Sequence, residues 1–242
     1  MKRLLSGISF KIRYQCPWAV LYLVIMLLSL IIAYYVLIRY GIINPATGSI
    51  GYRLWGAVLF QFAVSVRFRE DFDLFLTMSF TRGEIFRILA VTGLIFSVFF
   101  SVFIEAEKAA VDSINSALGF YLKELFQKLP PYRNTGVFIR FFFFTSLTFF
   151  CSMSGLFLGT LFYRFGKRFM QVFWISVTSL PLVLVPLMIG PLNQRTVLAD
   201  MAVRTGSFLY TFNTVSAVLI LSVLSAAFCA AIFMVMRRLP KR

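Results

Sequence analysis

The chain has 242 residues, 60% of them hydrophobic and 14% charged, with 30 phenylalanines and a mean hydropathy of +0.87. A soluble domain carries about a quarter charged residues, so a composition this apolar, laid out in long continuous runs, excludes a soluble globular domain and indicates one polytopic membrane domain. The net charge of +15 is that of basic cytoplasmic loops and not of a nucleic-acid binder, and the lack of any histidine removes His-based triads, His proton relays and most zinc sites.

Residues 1–15, MKRLLSGISFKIRYQ, are basic. Leu4, Leu5, Ile8 and Ile12 share one helical face while Lys2, Arg3, Lys11 and Arg13 can reach anionic headgroups, which predicts an interfacial helix on the inner leaflet. A disordered basic tail is the alternative. The apolar run 18–38 is long enough to cross the hydrocarbon core and has no small-residue cleavage site, so it reads as an anchor and not a removable signal. The run 54–66 is short, and snorkelling of Arg53 and Arg67 with the help of Phe68 would lengthen it. Further spans are expected at 88–104, 141–163, 169–189 and 208–236, six in all. Between the third and fourth, Ile114, Leu118, Tyr121, Leu122, Leu125 and Leu129 repeat at helical spacing before Pro130-Pro131. They predict an external amphipathic helix over 107–129, either capping an outer opening or resting on the surface. Pro181 and Pro186 interrupt the fifth run, predicting a kinked span or a re-entrant piece.

Charge orients the bundle. The N-terminus, the segment 67–87, the segment 164–168 and the C-terminal RRLPKR hold 15 of the 24 Lys and Arg, which places both termini in the cytoplasm. The middle third of every span is free of Asp, Glu, Lys and Arg. A charge there costs on the order of 3 kcal/mol and is kept mainly for function, so ion-coupled transport and intramembrane hydrolysis are both disfavoured. Glu105 and Arg140 lie near outer ends, where snorkelling is inexpensive. Gln61, Ser65, Thr145, Ser146, Thr148, Gln171, Thr178, Asn213, Thr214 and Ser216 are expected to join helices by hydrogen bonds. Gly155 with Gly159, and Ser222 with Ala226 and Ala230, would let helices approach closely, inside one bundle or against a second subunit. Cys16, Cys151 and Cys229 are far apart and read as small hydrophobes. No cofactor, metal or catalytic group is expected in the chain.

The segment RFREDFDLFLTMSFTRGEIFR, 67–87, holds four of the nine carboxylates among four arginines. Read as a helix, it puts Phe72, Phe75, Leu76 and Phe80 on one face, with Glu70, Asp71 and Asp73 at its start and Arg82 and Arg87 further on. Aromatics framed by charge predict a docking surface for a cytoplasmic protein. A helix whose phenylalanines dip into lipid is the alternative, although lipid contact leaves the carboxylates unexplained.

This layout resembles the permease subunits of the ABC-2 type family of ABC transporters. MSFTRGEIF here stands where such chains carry a motif like LPVSRREIF, with Thr81 at the serine, Arg82 at the arginine, and Ile85 and Phe86 at the apolar positions. Ser79 and Phe80 depart from the usual small or proline-containing pair, and GLFLGTLFYRFGKR at 155–168 is similar to the inner end of a fourth span in that family. The resemblance implies a coupling helix over 70–85 seated in the cleft of an ATP-binding cassette subunit. Glu70, Asp71, Phe72, Asp73, Phe75, Leu76, Phe80, Thr81, Arg82 and Glu84 would form the contact. The chain has no P-loop of its own: its nearest approach, GTLFYRFGKR, puts six residues between the glycines and an arginine after the lysine. The ATPase would therefore be a separate chain, and a second permease, identical or related, would complete the path. Aromatic, uncharged spans would suit a lipid, a peptide or a drug as substrate. A non-transporting membrane protein, such as an immunity factor or an anchor for a sensor or assembly, is the competing reading.

Overall fold

A computed structural model describes residues 2–40, 52–118, 136–166, 168–176 and 214–238. Within them the chain forms α1 (Lys2–Tyr40), α2 (Tyr52–Val66), α3 (Phe68–Thr77), α4 (Arg82–Leu118), α5 (Val137–Phe165) and α6 (Thr214–Arg237), with a helical stretch at 168–176. No strand occurs among the described residues. Three helices are long and apolar enough to cross a membrane, over Arg82–Ala110, Val137–Phe165 and Thr214–Arg237, while Gly56–Val66 is apolar but shorter. These helices mark a membrane protein. The side chains of the 18–38 run beyond residue 28, residues 119–129 of the expected external helix, most of the 169–189 run, the start of the 208–236 run and the prolines at 181 and 186 lie outside the described residues.

Two expected boundaries are absent. The 1–15 segment and the 18–38 run are one helix, which continues through Pro17. The 88–104 span likewise runs on into the first part of the 107–129 segment as far as Leu118. At about 1.5 Å per residue, the 37 residues of α4 reach about 55 Å, so this helix exceeds a hydrocarbon core of about 30 Å and projects from it.

The long helices gather around α5, which packs along α2, α4 and α6. Its sequence is apolar on every side, as befits a helix long and apolar enough to cross a membrane. Glycine sets the α2–α5 approach. A Cβ at Gly155 would lie 2.6 Å from the Phe62 carbonyl oxygen, and one at Gly159 would lie 2.6 Å from Phe68 Cβ and 2.8 Å from the Val66 carbonyl oxygen. The Gly155–Gly159 pair thus serves packing within the bundle, whereas Ser222, Ala226 and Ala230 face outward on α6. Polar bonds pin α2 to α5 and to α4. Ser65 and Ser152 share a 2.9 Å hydroxyl bond, and Gln61 Nε2 donates to the Gly93 carbonyl at 3.2 Å. Thr145 and Thr148, expected to bridge helices, instead donate to carbonyls of α5 itself. Arg140 and Glu105 do not simply reach for water: they meet at 3.3 Å and tie α5 to α4.

Candidate functional site

The mixed-charge segment folds as α3, a tight turn, and the first turn of α4. Glu70 and Asp71 fall in the first turn of α3, where the helix dipole favours carboxylates. The side chains of α3 divide cleanly. Phe68, Phe72 and Phe75 are 0% exposed, and Asp71 is buried beside them. Arg69, Glu70, Asp73 and Thr77 are exposed, as are Met78 and Ser79 just beyond the helix.

This division corrects the role expected of the aromatics. Phe68 stacks on Phe72 at 5.1 Å, Phe72 meets Tyr163 of α5 edge-on at 5.1 Å, and Phe75 meets Phe80 at 5.5 Å. With Ile85, Ile88, Met153, Ile232 and Met236 they belong to the main core, against which Leu76 and Phe86 also pack. A side chain buried in its own protein is not available to fill a partner's groove. The spacing that suggested an anchor row is the inward stripe of an amphipathic helix, and lipid does not cover it either.

Asp71 and Lys11 are corrected together. The lysine was expected at headgroups and the aspartate at a partner's basic residues, yet the two pair with each other, both buried. Burial pushes the Asp71 carboxyl above its ordinary value and the Lys11 ammonium below its own, each against the attraction of the other. Desolvation thus outweighs the Coulomb gain for both partners, as expected of a buried pair. The apolar face of the 1–15 segment is largely used within the protein as well. Ile8 lies in the core, Leu4 and Ile12 pack against it, and only Leu5 of that face is exposed.

The turn MSFTRGE stops one helix and starts the next. Ser79 holds a left-handed φ of 63°. Its N–H bonds the Leu76 carbonyl at 2.9 Å while the Phe80 N–H reaches back to the Phe75 carbonyl at 3.0 Å. These two bonds and the Phe75–Phe80 contact make a left-handed helix C-cap with its hydrophobic clasp. Thr81 and Glu84 then form a capping box. Glu84 accepts from the Thr81 N–H at 2.8 Å and from its hydroxyl at 2.9 Å, and the Glu84 N–H donates to Thr81 Oγ1 at 3.3 Å. Arg82 donates to the Arg237 carbonyl at 3.0 Å, completing the C-terminus of α6. Arg3 of α1 lies 5.0 Å over the Phe80 ring and donates to the Met78 and Ser79 carbonyls. Thr81, Arg82 and Glu84 therefore hold the fold at this corner. What α3 leaves outward is a charged rim of Arg69, Glu70 and Asp73, where Asp73 accepts from Tyr163 Oη at 3.1 Å.

Sequence reasoning missed Lys11 and Tyr163 as partners of this segment, since nothing local signals a contact across so many residues. The capping box did have a signal, Thr-x-x-Glu ahead of an apolar run.

Two cavities flank the Lys11–Asp71 pair. A cleft of about 210 Å³ lies between α1, α2 and the start of α3, walled by Trp18, Phe60 and Val64 and bordered by Arg67. A polar pocket of about 20 Å³ lies deeper, lined by Gln61, Ser65, Thr92 and Ser152 among others. Among the described residues Thr92 Oγ1 there is buried without a hydrogen-bond partner, and a pocket of this size is large enough for one water. Among the described residues no cluster of His, Cys, Asp and Glu could hold a metal. No family model, no curated protein and no solved structure matches the chain.

Proposed function

We propose that the chain is the membrane-spanning permease subunit of an ATP-driven ABC exporter, with six spans, cytoplasmic termini and the rim of α3 as the contact for a separate ATP-binding subunit. The carrying observation is that α3 is charged outward and bonded inward to the helices that would have to move. Phe68 and Phe72 seat it on Tyr163 of α5, Asp71 ties it to Lys11 of α1, and the turn after it is clasped by Arg3 and joined through Arg82 to α6. Close-packed contacts transmit displacement instead of absorbing it. A push or pull on the rim by a partner closing on ATP would therefore reach α1, α5 and α6 together. Arg69 and Glu70 carry the recognition in this reading. The aromatics carry the transmission.

The test is to purify the chain with its candidate ATP-binding subunit after swapping the rim charges by Arg69→Glu with Glu70→Lys. Both side chains are exposed, so the fold should melt as before. The expected result is loss of the complex and of substrate-coupled ATP hydrolysis. An intact complex with unchanged coupling would defeat the proposal.

A further inference from the structure

The cleft beside the Lys11–Asp71 pair has the chemistry of a site. It opens where the apolar run 54–66 gives way to the charged segment, and Trp18 and Tyr14, 51% and 44% exposed, stand along its α1 side. Amphipathic aromatics of this kind sit at the headgroup level of a bilayer. The walls from Trp18, Phe60 and Val64 are apolar, while one end brings together Lys11, Arg67 and Asp71. Two cations and one carboxylate therefore meet within the lining. Each cation opposes the other's charge, since Arg67 is close enough to disfavour the Lys11 ammonium.

Among the described residues neither cation is fully satisfied by its contacts. The Lys11 ammonium has three N–H donors and is almost wholly buried, and among the described residues its hydrogen-bonding partner is Asp71, with the Tyr14 ring 5.6 Å away. Arg67 turns two of its five donors to Glu70, an exposed pair of the weakly held kind. The unmet demand at this end is for an anion with several acceptor oxygens. The demand along the walls is for a short length of hydrocarbon.

We propose that this cleft binds the headgroup end of an anionic membrane glycerophospholipid, its phosphate taking donors from Arg67 and Lys11 and its first acyl carbons lying between Trp18 and Phe60. The guanidinium fork matches two phosphate oxygens, and the net positive lining favours an anionic headgroup over a zwitterionic one. The volume suits a headgroup and the beginning of its chains, with the rest of the lipid remaining in the bilayer. Such a lipid would rest against α1, α2 and the start of α3 at once, bracing the segment through which α3 is held.

The test is the thermal unfolding of the full chain in detergent micelles doped with dioleoyl-phosphatidylglycerol, with dioleoyl-phosphatidylcholine, or with glycerol 3-phosphate in solution. The parent chain should melt several degrees higher with the anionic lipid than with either control. Arg67→Gln should lose most of that increment, and Ala63→Trp, which fills the cleft and leaves its charged residues in place, should lose it too. Arg69→Gln removes the same charge outside the cleft and should keep it. Equal gains from both lipids, an equal effect of Arg67→Gln and Arg69→Gln, an undiminished gain in Ala63→Trp, or a full gain from glycerol 3-phosphate alone would each overturn the assignment.

Discussion

Replacing Lys11 and Asp71 singly and together separates what the pair costs from what it holds. Both side chains are buried and each is shifted against ionisation by desolvation first, with the partner's charge only partly offsetting it. Removing one member leaves the other charged in a dry site, at about 3–5 kcal/mol. The two singles should not be equal. In Lys11→Met the short Asp71 side chain cannot reach water, so the full cost is expected. In Asp71→Leu the lysine stem can carry its ammonium out through the adjoining cleft, and about 1–3 kcal/mol is expected. For a chain of this size the lower end of the larger loss, about 3 kcal/mol, corresponds to a melting shift of roughly 6–12 °C. The double variant Lys11→Met/Asp71→Leu should recover to near the parent or above it, because no charge is then left to desolvate.

The pH dependence has a fixed sign. Without Lys11 the Asp71 carboxyl loses the strongest influence that lowers it, keeping only that of Arg67, and keeps the burial that raises it. A raised folded value means stability is present below the ordinary carboxylate range and lost as pH climbs through the folded one. Lys11→Met should therefore fall further behind the parent as pH climbs above the ordinary carboxylate range of about 4. Melting curves in detergent, followed by tryptophan fluorescence, read all of this. Single replacements that cost no more than a surface pair, or a double variant as weak as the worse single, would refute the reasoning.

Gly159→Leu should force α5 away from the end of α2, because even a Cβ there meets Phe68 Cβ at 2.6 Å and backbone at 2.8 Å. A loss of about 1–3 kcal/mol in denaturant titration is expected, and an unchanged midpoint would mean the helices are further apart than described. Ser79→Gly should raise the melting temperature, since the left-handed φ of 63° costs a side chain about 1–2 kcal/mol. Thr81→Val should lower it by about 1 kcal/mol through loss of the capping bonds. Phe72→Ala should cost about 3–5 kcal/mol of stability as a core truncation. Were the ring a docking anchor instead, that variant would melt like the parent and fail only in complex formation.

Much of the helical layout was legible because long apolar runs leave few alternatives. The helical content, the runs carried by α4, α5 and α6, and the close approach at Gly155 and Gly159 all follow from runs and spacings within single segments. The mixed-charge segment was legible only in part. Its periodicity gave the helix and the aromatic face, yet periodicity cannot say whether that face meets a partner or the protein itself. Which it meets is decided by Tyr163, Ile85 and Met236, residues whose nearness to α3 no local pattern reveals. Lys11 illustrates the same limit. A lysine on a basic N-terminal helix reads as a headgroup contact until a buried Asp71 is brought opposite it. The breaks expected near residue 16 and after residue 104 were drawn where the sequence changes character, but a helix needs only unbroken backbone bonding and continues through such a change.

The proposal stands most directly on what meets the outward face of α3. A photo-crosslinking amino acid placed at Thr77, exposed at the end of that helix, should couple the chain in intact cells to a nucleotide-binding protein of the ATP-binding cassette kind. The same probe at Val102, on the exposed apolar side of α4, should not. Coupling from neither position, or labelling of a cysteine at residue 77 by a membrane-impermeant reagent added outside the cells, would contradict it.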